Sequence, residues 1–428
     1  MPVSLVIEAA ASINRLKMNI DQAASIRILA HYWSTYKPKD INTKTVFVGD
    51  IHGDLNQLLL PLVELGIIQV NNSIRCVYES TRELCKVYIP DFIVLRSDID
   101  VYFLGDYIDE GNHSRSCVAI IHELSKHDFI HLLIGNHDAN ILGRYNEYKN
   151  KTLRFQSLKS YWPTLQREAT AYDAFSKGNV DDELLNDYFN PLFDWYFDLF
   201  KNRKLNVCYQ LELDRRKFIV SHAIITKRSI HELIENKSRA SITADDKPLI
   251  EGDITNIKKK NEFMLNYEDV NTLFLHSNAS FITSNRLLYN RLETDFWSKL
   301  NIVGHTPGFE YRQIANPKPC RDKEERQSHC QPTKRGDALI YYFDILASSG
   351  YNIDNVSRPD YFYYLNTEAV KEYSKEKYAK DTAALKGVFM VSNSQALHLE
   401  YNVDKDELIF ESYKGKNRSD GVFKYKNE

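Results

Sequence analysis

Val46-Phe47-Val48-Gly49-Asp50-Ile51-His52-Gly53-Asp54 is the stretch on which the reading of this chain turns. Thr45 to Val48 are β-branched or aromatic and uninterrupted, which predicts a buried strand, and Gly49 closes it. Asp50 and His52 stand two apart, so in extended backbone both project to the same side. A hard carboxylate oxygen beside a borderline imidazole nitrogen suits a first-row divalent metal. Taken alone, the stretch also reads as a plain strand-to-helix turn in which Asp54 caps the residues from Leu55 onward.

The same arrangement recurs four more times in order: a buried strand, then glycine or serine, then a residue of ligand type. Val101 to Leu104 leads into Gly105-Asp106-Tyr107-Ile108-Asp109-Glu110-Gly111, and Ile130 to Ile134 into Gly135-Asn136-His137-Asp138. Lys217 to Val220 leads into Ser221-His222-Ala223, and Leu300 to Val303 into Gly304-His305-Thr306-Pro307. Open α/β sheets place their sites where the carboxyl ends of neighbouring strands converge. Five such ends therefore predict one metal site. Helical patterns over Leu55 to Leu65 and Asn112 to Lys126 complete a strand-helix-strand rhythm, which implies parallel strands.

This set of motifs resembles the calcineurin-like metallophosphoesterases, and within them the phosphoprotein phosphatase branch and its bacterial-effector and viral relatives. The resemblance covers five islands between Thr45 and Gly308, with long unmatched inserts. It implies a four-layer α/β/β/α sandwich with helical insertions. On that reading residues 1–42 are an N-terminal helical segment and 43–428 the metallophosphoesterase domain. The domain would carry a helical insertion at about 141–206, with C-terminal strands at 338–413 completing the sandwich. Asp50, His52 and Asp106 resemble the ligands of a first metal. Asp106 would bridge to a second, held by Asn136, His222 and His305. His137 resembles the general acid and Asp109 the residue that orients it, while Asn136 also faces substrate. Leu287-Leu288-Tyr289-Asn290-Arg291 is similar to an element that supplies a phosphate-binding arginine, which favours Arg291 over Arg286.

The implied cofactors are two divalent metal ions, manganese foremost, with iron or zinc as alternatives. Two metals roughly 3.5–4 Å apart need a bridging carboxylate, and they can share a hydroxide that attacks phosphorus in line. The implied activity is hydrolysis of phosphomonoesters on phosphoproteins, at phosphoserine and phosphothreonine or at phosphotyrosine. A dinucleoside polyphosphate hydrolase and a catalytically inactive binding scaffold are the alternatives. One departure bears on preference: where phosphoprotein phosphatases carry arginine after the second Asp of Gly-Asp-x-x-Asp, this chain has Glu110.

Bulk properties restrict the rest. The 428 residues hold 55 Lys+Arg against 58 Asp+Glu, a net charge of −3, so no basic footprint points to nucleic acid. No stretch approaches 18 consecutive apolar residues, so no transmembrane segment is expected, and Glu8 interrupts the early apolar run that a signal peptide needs. Six cysteines without a paired framework fit a reducing compartment, and the expected location is cytoplasmic. The Asn-, Lys- and Ile-rich texture suits a large virus or a bacterium that delivers effectors into a host cytoplasm. Cys320, His329 and Cys330 lack a fourth ligand at useful spacing.

Leu5 to Tyr32 has helical spacing and is read as packing against the sheet, with a partner-binding helix as the alternative. A β-hairpin insertion is read between Ile67 and Asp100. Leu184, Leu185, Tyr188, Phe189, Leu192, Phe193, Tyr196 and Phe200 mark one face of a helix that Pro191 would kink. That face is either a layer over the sheet or a surface that docks a protein. Ile230 to Tyr267 is polar and reads as a loop or lid, and its Lys258-Lys259-Lys260 run as a solvated face. Ala338 to Ile345, Gly387 to Ser392, Ala396 to Tyr401 and Glu407 to Tyr413 read as strands of a second sheet, with Thr367 to Leu385 a charged helix between them. The tail from Lys414 reads as frayed.

Overall fold

The computed structural model describes residues 22–38, 45–109, 111, 113–150, 182–213, 216–239, 266–277, 282–283, 296–305, 333–335, 338–342, 388–392, 395–402, 407–414 and 422–424. Glu110, Arg286, Arg291, the Lys258 to Lys260 run, the Cys320, His329 and Cys330 group and the helix over Thr367 to Leu385 lie outside the described residues.

The strand of the opening motif, β1 (Thr45–Val48), is buried at all four positions and has parallel partners on both sides. A continuous apolar strand demands that, because both of its faces and both of its edges must leave water. On one side follow β4 (Asp100–Phe103), β5 (Ile130–Leu133) and the short β6 (Leu205–Asn206), all parallel. On the other stands β12 (Val388–Ser392), which carries the antiparallel strands β13 (Gln395–Asn402), β14 (Glu407–Lys414) and β15 (Val422–Lys424). A second sheet has the order β10 (Thr333–Arg335), β11 (Ala338–Tyr342), β9 (Leu300–Val303), β8 (Arg216–Ser221), β7 (Cys208–Leu213), and its central three strands are parallel. Phe47, Tyr102 and His131 are level across β1, β4 and β5, and their rings stack in sequence. Tyr209 of β7 meets Tyr102 and His131 edge-on, so aromatic rings join the two sheets.

The register puts the strand ends level. Val48 lies beside Phe103, Phe103 beside Leu132, and Ser221 beside Val303. All five ligand-bearing turns therefore leave their sheets at the same end.

The C-terminal strands correct one expectation. Of the four strands predicted there, only Ala338–Tyr342 joins the second sheet; Val388 onward extends the first, because β1 needs a second parallel neighbour and Val388 to Val391 supply it. Val422–Lys424 also pairs, where a frayed tail was expected.

The hairpin falls between Ile67 and Asp100 as expected, spanning β2 (Ile68–Tyr78) and β3 (Val87–Val94). Helix α1 (Gln22–Ser34) lies against this hairpin, with Ile26, Ala30 and Trp33 buried. Helix α2 (Leu55–Glu64) starts directly after Asp54, whose carbonyl accepts the Leu58 amide at 3.2 Å. Helices α3 (Ser114–Leu124), α4 (Asn136–Gly143) and α5 (Tyr145–Lys149) all pack on α6 (Asp182–Lys201). Within α6, Leu185, Tyr188, Phe189, Leu192, Phe193, Tyr196 and Leu199 are buried, so the apolar face forms a covering layer and Pro191 does not interrupt it. Each such side chain contributes about 1.5–3 kcal/mol through its removal from water.

The expected loop from Ile230 is instead helical at its start, in α7 (Lys227–Arg239). The amide of Thr226 donates to Ser229 Oγ and that of Ser229 to Thr226 Oγ1, a reciprocal cap, and Ile230 and Leu233 bury the inner face. Its polar composition, with only Ile230, Leu233 and Ile234 apolar, masked this helix in the sequence. In α8 (Tyr267–Ser277), Asn271 receives the amides of Val207 and Cys208 at 2.8 and 3.1 Å, pinning the start of β7.

Candidate metal centre

Backbone twist sets the site. Among the described residues, the non-glycine positions with positive φ are His52 (48°), Asp106 (50°), Asp109 (72°), His305 (55°) and Arg203 (56°). Four of these five carry predicted chemistry. Such a conformation costs on the order of 1–3 kcal/mol per residue and persists only where neighbours fix it. The neighbours here are named hydrogen bonds. The His52 amide donates to the Asp106 carbonyl at 2.7 Å, and the His305 amide to both Asp50 carboxylate oxygens at 3.1 and 3.2 Å. The Asp106 amide donates to Asp138 Oδ2 at 2.8 Å, and the Asp109 amide to Ser114 Oγ at 3.1 Å.

These turns bring ligand atoms together in two groups that share one carboxylate. His52, Asp106 and His137 form one, and Asp106, His222 and His305 the other; within each, the ligand atoms lie within 4.8 Å of one another. His52 Nε2 stands 3.8 Å from Asp106 Oδ2, and His222 Nε2 stands 3.4 Å from the same oxygen. Asp50 lies between the groups, 3.9 Å from His52 Nε2 and 3.7 Å from His222 Nδ1. Asn136 Oδ1 is 3.2 Å from His222 Nε2. The structure thus brings together Asp50, His52, Asp106, Asp109, Asn136, His137, His222 and His305.

The donor set fits divalent metal. The His222 Nδ1–H donates to the Leu104 carbonyl at 2.7 Å and His52 Nδ1 lies 3.4 Å from the Ile108 carbonyl, which turns both Nε2 atoms toward Asp106. Burial drives the His52 pKa down to about 3, so this ring is neutral and able to ligate. Burial also lowers that of His222, but Asp106 and Asp50 outweigh it and raise the value to about 9. Burial raises Asp106, yet His222, His137 and His52 hold its carboxyl well below the usual range. A cation entering this pocket would displace the His222 proton and supply the charge that the proton supplies without it.

His137 is placed differently. Its Nδ1 lies 2.5 Å from Asp109 Oδ2, its Nε2 lies 4.0 Å from Asp106 Oδ2, and its side chain is 20% exposed while that of Asp106 is 2%. Burial lowers its pKa, but Asp106 and Asp109 overcome this and raise it to about 10, so the ring holds a proton at neutral pH. A carboxylate-oriented, partly open imidazole can give a proton to a leaving group.

Gly135 and Gly304 are among the glycines required by space. A Cβ on Gly135 would overlap the Asp106 carboxylate and amide, and one on Gly304 the Asp50 carboxylate. Gly135→Ala is expected to lower stability by about 1–3 kcal/mol through overpacking and to weaken metal binding by displacing Asp106. Thermal melting with and without Mn²⁺ reads both effects.

Asp138 and Tyr196 were not assigned roles by the sequence reading. Asp138 accepts the amides of Asp106, Tyr107 and Gly135 and the hydroxyl of Tyr196. Its place in Gly-Asn-His-Asp was a signal for the first; nothing local signals the second.

The profile of the family described as calcineurin-like phosphoesterase matches residues 43–247. The chain carries a calcineurin-like phosphoesterase domain. Asp50, His52, Asp106, Asn136, His137 and His222 fall inside the matched residues of this phosphoesterase domain. His305 falls beyond them and is tied to the site by its bond to Asp50. The phosphatase domain from the Legionella effector WipB is similar at 14% identity, over 56% of this chain and 82% of that one, with a TM-score of 0.32. No curated protein matches the chain. The phosphoesterase domain and its α/β sandwich make the protein a hydrolytic phosphoesterase. Among the described residues no helix is long and apolar enough to cross a membrane.

Proposed function

We propose that this phosphoesterase is a phosphoprotein phosphatase that uses two divalent metal ions, manganese foremost, joined by Asp106. The observation that carries the reading is the pair of ligand groups sharing Asp106, with the partly exposed His137 bonded to the buried Asp109. Asp50 and His52 would serve one ion, and Asn136, His222 and His305 the other. When bound, the ions supply the nucleophile and offset the charge that develops on the phosphoryl oxygens. The protein's own residues do the rest. Asp109 holds the His137 ring with its protonated Nε2 outward, and Nε2 delivers the proton to the departing alkoxide. The exposure of His137 beside buried ligands leaves room for a phosphorylated side chain presented from a protein surface.

Residue preference follows from Glu110, a carboxylate next to Asp109 where an arginine would grip phosphate. It disfavours the phosphate dianion and places the burden of binding on Arg291. The test loads the protein with Mn²⁺ and measures kcat/KM on an aryl phosphate, a diadenosine polyphosphate and matched phosphotyrosine, phosphoserine and phosphothreonine peptides, for wild type and Glu110→Arg. Turnover of phosphopeptides, with preference shifting toward phosphoserine and phosphothreonine in Glu110→Arg, is expected. Cleavage of the dinucleotide alone would overturn the reading.

A further inference from the structure

Helix α6 buries a mostly hydrocarbon face, yet in its C-terminal third Tyr196 carries a hydroxyl, and the residue is fully buried. Leucine or phenylalanine would fill that volume without bringing a polar group out of water, which costs free energy unless the group is bonded. The hydroxyl is bonded. It donates to Oδ1 of Asp138, which is itself fully buried.

Asp138 is the junction of the site's backbone. Its Oδ2 accepts the amides of Asp106 and Gly135, each at 2.8 Å, and its Oδ1 accepts the amide of Tyr107 at 3.1 Å together with the Tyr196 hydroxyl. Two donors on each oxygen use the roughly four acceptor positions that a carboxylate has. The partners belong to two different turns, one after β4 and one after β5. Between them these turns present Asp106, Asn136 and His137. Asp106 is one of the positive-φ residues, and its Oδ1 in turn accepts the His137 amide at 3.0 Å.

We propose that Tyr196 is a positioning residue for the metal centre: through Asp138 it fixes the turn that aims the Asp106 carboxylate. This inference deepens the functional reading above and rests on it for the role of Asp106. The insertion helix is then a working part of the site. Without the hydroxyl, Asp138 Oδ1 keeps one donor, and the Tyr107 side of the turn loses a fixed acceptor geometry. Groups that orient ligands from behind change metal affinity and activity by about 10–100-fold when removed.

The test compares Tyr196→Phe, which keeps the ring, with Tyr188→Phe, which deletes a second buried hydroxyl from the same helix. Mn²⁺ affinity is measured by calorimetry, kcat and KM on an aryl phosphate, and folding by thermal melting. Tyr196→Phe is expected to weaken Mn²⁺ binding by about tenfold or more and to lower kcat with KM little changed, while Tyr188→Phe leaves both as in wild type. In an Asp138→Asn background the Tyr196→Phe change should add nothing, because both act through one carboxylate. Wild-type affinity and kcat in Tyr196→Phe, or losses that multiply in the double variant, would overturn the proposal. Should Tyr196→Phe not fold, Asp138→Asn with the same affinity measurement decides in its place, and wild-type Mn²⁺ affinity there overturns the proposal. Wild-type protein that binds Mn²⁺ but cleaves no phosphoester sinks the functional reading alone, and affinity still decides this one. Wild-type protein that binds no Mn²⁺ sinks both.

Discussion

Asp106→Asn is expected to lower turnover by about 10³-fold or more and to leave the protein with at most one bound metal ion per chain. The substitution changes almost no volume, and the amide oxygen can still accept the His137 amide. What it removes is the negative charge toward which His52 Nε2 and His222 Nε2 converge from opposite ligand groups. It also removes the main partner that raises the His222 and His137 pKa values, so both rings become less readily protonated. Metal analysis of the purified variant beside wild type reads the result. Two ions per chain in Asp106→Asn would refute the bridging role even if activity were lost.

His137→Asn should separate two substrates. With an alkyl phosphate or phosphoserine peptide, kcat is expected to fall by about 10²–10⁴-fold, because the leaving alkoxide needs a proton. With an activated aryl phosphate the loss should be small, since that phenolate departs unaided. The geometry admits a rival role, because His137 also lies among the ligand atoms around His52 and Asp106. Metal content distinguishes the two. A variant that retains its metals and loses activity only on poor leaving groups has lost a proton donor. One that loses an ion and fails equally on both substrates has lost a ligand.

Much of this site could be read from the chain because each element is local. A buried strand, a glycine and a ligand occupy consecutive residues, so Asp50, His52, Asp106, Asn136, His137, His222 and His305 were all visible as candidates, and the level strand ends bring them together. What could not be read depends on contacts between distant residues. Tyr196 meets Asp138 across 58 positions, and its letter on the face of α6 is indistinguishable from that of an ordinary core aromatic. The positive φ of His52, Asp106, Asp109 and His305 leaves no mark in composition, since none is glycine. Pairing of β12 with β1 escaped for a related reason. Four apolar residues specify a buried strand but not which sheet receives it. Helix α7 is hidden by the polar stretch that follows it, although Thr226, Ser229 and the Ile230 and Leu233 spacing together announce a capped amphipathic helix.

The position of β1 also has a temporal consequence. Its partners are β4, which follows soon after it, and β12, which begins at Val388, roughly 340 residues further along. At a synthesis rate of about 5–20 residues per second, one edge of the strand that holds the opening motif waits on the order of 20–70 s for its neighbour. During that interval the nascent chain presents an open, apolar parallel edge, the kind of surface that templates aggregation. A ribosome-bound chain halted before Val388 should therefore engage holding chaperones far more than one released after Lys424. Overexpression yield should be governed by how fast Val388 to Lys424 arrive as much as by the stability of the finished fold.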